Sequence, residues 1–149
     1  MKKLLIADEE QRMIEGIVNR VYRDTDELPF ESQVTTTVDE AIQELRRFPY
    51  ELALSSEFLP DAAPGMLWDD VLYKGDVLRL LEFCTDNMPR SRACVVTVYT
   101  MTDQREELYR SYPCVMDVFG RPHSDRVYKA QDKRLRRILD KFAGARSVV

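Results

Sequence analysis

Leu4-Leu5-Ile6-Ala7-Asp8-Glu9-Glu10 is the stretch that decides the fold. Four consecutive apolar residues leave no polar face, so a strand here must be buried on both sides, as the strands of a parallel sheet are. The run ends abruptly in acids. Parallel neighbours cannot be joined by a tight turn, and their crossovers are helical and right-handed. The fold therefore depends on whether helices alternate with further strands along the rest of the chain.

They do. Ile14, Ile17, Val18 and Val21 recur at helical spacing, Asp24 to Pro29 break the pattern, and Phe30 to Val34 reads as a second strand. Thr37-Val38-Asp39-Glu40 has the form of a capping box, in which the threonine oxygen accepts a first-turn N–H and the glutamate reaches back. Ala41, Ile42, Leu45 and Phe48 make that helix's buried stripe, and Pro49 ends it. Tyr50 to Ser56 is a third strand, apolar in the middle and polar at its C-terminal end. Residues 57–74 hold Pro60, Pro64, Gly65 and Trp68 with no sustained period and read as a long loop. Beyond Gly75, the residues Val77, Leu78, Leu80, Leu81 and Cys84 predict a third helix closed by Asn87 and Pro89. Ala93 to Tyr99 is a fourth strand, Asp103 to Tyr112 a helix and Val115 to Phe119 a fifth strand. Val127, Tyr128, Leu135, Ile138, Leu139 and Phe142 mark one side of a long amphipathic helix over about 125–143. Strands alternating with helices in this way predict an α/β domain with a doubly wound five-stranded parallel sheet.

Composition bounds what such a domain does. At 149 residues, 44% apolar and 32% charged, the chain is long enough for one core and too short for two ordinary domains. Neither a membrane span nor a signal peptide is recognisable, so the expected location is the cytoplasm, with no membrane partner. Cys84, Cys94 and Cys114 are odd in number and widely spaced, which speaks against a disulfide framework or a zinc knuckle. His123 is the single histidine. It excludes sites built from several imidazoles and leaves a Ser, His and Asp triad only one base, so an enzyme is not expected. The net charge of −4 hides an asymmetry, because residues 121–146 hold nine Lys or Arg against Asp125, Asp132 and Asp140. Such a helix suits an acidic partner, with a solvated face as the plainer explanation.

In a doubly wound sheet the ligand site lies at the C-terminal ends of the strands, where strand order reverses. The polar residues at those ends are Asp8 and Glu9, Ser55 and Ser56, Thr100, and Arg121-Pro122. With this pattern the chain resembles the receiver domain of bacterial response regulators, from about Lys3 to Phe142. The resemblance implies a flavodoxin-like sheet of order 2-1-3-4-5 and a phosphoacceptor pocket made of Asp8, Glu9, Ser56, Thr100 and Arg121. In it Asp8 and Glu9 match the magnesium-binding acids, Thr100 the phosphoryl-contacting threonine, and Arg121-Pro122 the family's Lys-Pro pair, which follows a cis peptide. Pro60 falls four residues after Ser56, which puts Ser56 where the family has its phosphorylated aspartate.

Serine there has no charge and no adjacent base, so it is neither the family's nucleophile nor its third metal carboxylate. The switch aromatic of the family falls at Val118, and arginine replaces lysine at 121. The expected function is therefore a stand-alone, aspartate-less pseudo-receiver that signals by protein-protein interaction, with no cofactor beyond weak magnesium on Asp8 and Glu9. Its output surface, by the same resemblance, is the face of the fourth helix, fifth strand and fifth helix, around Tyr109, Tyr112, Arg126, Lys129 and Arg137. Trp68 and Tyr73, in a loop about ten residues longer than the family's, are candidates for a second binding element, with Trp68 packed back over the pocket as the alternative. A homodimer is compatible with this reading, and nucleic acid is not expected. Two alternatives stand beside it: a phosphorylatable receiver using Glu57 or Asp61 with magnesium, and a small-ligand-binding domain. For the last no glycine-rich phosphate loop speaks.

Overall fold

The computed structural model describes residues 1–8, 12–59, 77–87, 92–96, 102–120 and 125–144. The strands are β1 (Lys3–Ala7), β2 (Glu31–Thr35), β3 (Leu52–Ser56), β4 (Arg92–Val96) and β5 (Val115–Phe119). Between and after them come the helices α1 (Met13–Val21), α2 (Val38–Arg47), α3 (Leu78–Asn87), α4 (Asp103–Arg110) and α5 (Asp125–Ala143). The strands form one parallel sheet in the order β2-β1-β3-β4-β5. This is the expected topology, and the reversal of strand order lies between β1 and β3.

The period of two along each strand divides the core between the faces of the sheet. Leu5, Ala7, Ala53, Ala93, Val95 and Val118 point to the face covered by α2, α3 and α4, where Val38, Leu45, Leu81 and Cys84 meet them. Leu4, Ile6, Leu52, Leu54, Cys94 and Phe119 point the other way, against Ile14 and Val18 of α1 and Leu135, Leu139 and Phe142 of α5. Strands apolar on both faces are what a sheet covered twice requires.

The local signals for α2 are realised with one change. Thr37 Oγ1 accepts the Glu40 amide at 3.1 Å, but the Glu40 carboxylate reaches the amide of Thr36 at 3.0 Å, one residue before the cap. At the C-terminus the chain leaves helical geometry at Phe48, whose amide still bonds to Glu44. That is where a helix must stop ahead of Pro49. Among the described residues no helix is long and apolar enough to cross a membrane. Most of the loop expected at 57–74, with Trp68 and Tyr73, lies outside the described residues.

Candidate functional site at the edge of the sheet

The register decides which side chains meet at the C-terminal edge. Ala7 pairs with Ser55 and Ser56 with Val96, so Asp8, directly after β1, lies beside Ser56 at the end of β3, and both continue the rows facing α1 and α5. The two therefore stand side by side at the edge of the sheet. Glu9, Thr100 and Arg121, assigned to the same pocket, lie outside the described residues, as do the Arg121-Pro122 peptide and Asp61.

Asp8 has a second job. It is completely buried, and its Oδ2 accepts the amide of Ile14 at 2.8 Å and that of Glu15 at 3.3 Å. A helix begins with N–H groups that have no intrahelical partner and with the positive end of its dipole. The residue in the cap position, Arg12, adopts φ 53 and offers no side-chain cap. Asp8 supplies it from the end of β1, six residues away in the chain. This role is invisible in the sequence, because a cap is sought next to its helix.

The resemblance implies magnesium on Asp8 and Glu9, of which Asp8 alone is among the described residues. One Asp8 oxygen accepts two amides, and among the described residues no three His, Cys, Asp or Glu side chains are grouped to hold a metal ion. Ser56 itself is buried, and the neighbouring Ser55 hydroxyl donates to the Ser56 carbonyl at 3.2 Å.

Glu57 points to the opposite face from Ser56. Only 1% of it is exposed, and its Oε1 receives both the Tyr109 hydroxyl and the Arg105 guanidinium, each at 2.5 Å. Its Oε2 is buried with no hydrogen-bond partner among the described residues. The backbone of Glu57 is held as well: its amide donates to Val96 at 2.9 Å, and its carbonyl accepts from Val77 at 3.1 Å. Arg105 and Tyr109 lie four residues apart on α4, one turn of one face, and Arg105 also stacks over Phe58 at 5.0 Å. Burial, and then the bond to Glu57, raise the Tyr109 hydroxyl above the ordinary tyrosine pKa. Glu57 thus ties the end of β3 to α4.

Two corrections to the expected output surface follow. Tyr109 is 4% exposed and is a core residue, while Tyr112 is partly buried against the same cluster. Their rings close the core beneath α4, since the apolar stripe of that short helix needs them. Lys129 and Arg137 are exposed, but they line a groove beside α1 rather than the side facing β5. On the β5 side α5 offers Arg134, which pairs with Asp117 at 2.8 Å and stacks on Phe119 at 4.6 Å. Arg126 is exposed as expected.

The thiols are all buried. The neighbouring Cys114 thiol, distant by 30 residues in the chain, and then burial raise the Cys84 pKa far above that of an ordinary thiol. Burial pushes Cys94 up to about 12.

Comparison with solved structures matches this architecture over nearly its whole length. A CheY-like receiver domain from Methanospirillum hungatei superposes with a TM-score of 0.61 at 17% identity, covering 95% of this chain and 98% of that one. The chain has the receiver fold. The signal receiver domain of a putative Luxo repressor protein from Vibrio parahaemolyticus gives 0.61 at 15% identity, covering 94% and 95%. A LuxR-family DNA-binding response regulator from Staphylococcus aureus gives 0.63 at 12%, covering 96% and 99%. No protein-family model and no curated protein sequence matches the chain.

Proposed function

We propose that this protein is a receiver-like signalling module that acts in the cytoplasm by binding another protein, without aspartyl phosphorylation. The observation that carries the reading is the pair Ser56 and Glu57. Where the resemblance puts the acceptor stands a buried, uncharged hydroxyl, a far weaker nucleophile than the carboxylate the family uses there. The carboxylate one residue on is turned to the other face, with Oε1 bound to Arg105 and Tyr109 and almost no exposure. That placement also weighs against Glu57 as a substitute acceptor. In-line transfer requires the phosphoryl donor and the metal to reach the attacking oxygen.

Beryllofluoride with magnesium, followed by amide NMR, tests the reading. The spectrum is expected to stay unchanged at millimolar magnesium. Saturable shifts at Asp8, Ser56 and the start of α1 would overturn it.

A further inference from the structure

The end of α1, the residues just after it and the facing side of α5 form an open groove of about 550 Å³, lined by Val21, by the cations Arg20, Arg23, Lys129, Lys133, Arg136 and Arg137, and by two carboxylates, Asp24 and Asp132. On a chain whose formal charge is −4, this is a local excess of cations. Ion pairing within the groove uses two of them. Arg20 grips Asp132 with two bonds of 2.7 and 3.0 Å, and Arg136 holds Asp24 at 2.9 Å while stacking on Tyr22 at 4.1 Å. These contacts fix the walls relative to each other. Arg23, Lys129, Lys133 and Arg137 take part in no ion pair among the described residues.

From this arrangement we infer that the α1–α5 groove is the docking site for an acidic, elongated peptide segment of a partner protein. The inference rests on the protein-binding reading above and moves its surface from the β5 side of α5 to the α1 side. Spacing selects the occupant. Lys129, Lys133 and Arg137 succeed one another every four residues, so their Cα atoms span about 12 Å along one stripe of the helix. A helix with glutamates every four residues presents carboxylates at the same interval. A compact phosphate ligand would engage only part of the row, and the two embedded carboxylates, Asp24 and Asp132, oppose a densely charged phosphate chain.

The test uses the full chain and three probes: a helical peptide with glutamate at every fourth position, inorganic triphosphate, and random duplex DNA. Amide NMR is expected to show saturable peptide shifts over residues 20–24 and 129–137. The Lys129→Glu, Lys133→Glu, Arg137→Glu variant is expected to weaken peptide binding at least tenfold, and raising the salt from low to half-molar to abolish it, since exposed charge interactions are screened. Reversing Arg126 and Lys141, which do not line the groove, should change affinity less than twofold. The three corresponding glutamine replacements repeat the measurement if the reversals disturb folding. Peptide shifts that map elsewhere, or affinity unaffected by both sets of variants, overturn the assignment. Tighter binding of triphosphate or DNA to the groove overturns it in favour of a phosphate ligand or nucleic acid. A phosphorylation response would overturn the functional reading but not the groove, so the two failures are distinguishable.

Discussion

On one flank of the sheet Arg20 and Asp132 meet at the surface; on the other, Arg105 and Tyr109 reach into the core to a carboxylate that is 1% exposed. Both join distant segments, yet they differ in what they cost to break. A surface pair exchanges one set of polar partners for water at little expense, whereas a buried charge deprived of its partner has nothing to replace it. The α1–α5 flank is therefore free to offer its cations to a partner, while the Glu57 cluster is committed to holding α4 against β3. Glu57, one residue after Ser56, is held there by Arg105 and Tyr109.

The largest effect should come from Arg105→Ala, which leaves the Glu57 carboxylate buried without its cation. The expected loss is about 3 kcal/mol in denaturant unfolding, the low end for a buried pair because Arg105 retains some exposure. A loss no greater than that of a surface pair would erase the contrast between the flanks. Next comes Asp8→Ala, expected to cost about 2 kcal/mol by uncapping α1. Unchanged stability with altered magnesium affinity would instead make Asp8 a metal ligand.

Tyr109→Phe should cost about 1 kcal/mol, the worth of one hydrogen bond to a charged group partly compensated by Arg105. The same substitution sharpens the pH dependence. Tyr109, Tyr22 and Tyr50 all have raised pKa values, each first by burial and then by a carboxylate partner. In the unfolded chain they lose their protons near pH 10, while in the folded chain they keep them longer. Their stabilising contribution is thus complete below about pH 10 and declines as pH rises above it. Tyr109→Phe should flatten that decline, and an identical alkaline profile would contradict the Glu57 contact. The smallest effect belongs to Asp132→Ala on the open flank, below about 1 kcal/mol and smaller still at high salt.

The strands were legible because double burial leaves an unmistakable mark: Leu4 to Ala7, Leu52 to Leu54 and Ala93 to Val96 are apolar on both faces, as the two core clusters require. The strand ends were legible too, since polarity appears where the sheet stops. Asp8 and Ser56 fall together there because the register follows from the topology. Side-chain partnerships across the fold were not legible. Nothing in the spacing of Glu57, Arg105 and Tyr109 announces that the end of β3 faces α4, and an aromatic in a polar helix reads equally as core or surface. The cations of α5 illustrate the same limit. Their number is plain in the sequence, but which neighbour they face depends on how the helix is rotated, and that is set by Leu135, Leu139 and Phe142 settling on the sheet.

Intact-mass spectrometry of the full chain after incubation with acetyl phosphate and magnesium tests the central claim most directly. With Ser56 at the acceptor position and Glu57 bound by Arg105 and Tyr109, the account predicts an unmodified mass at every time point. A stoichiometric phosphoryl adduct, lost on treatment with base or hydroxylamine as an acyl-phosphate is, would contradict it.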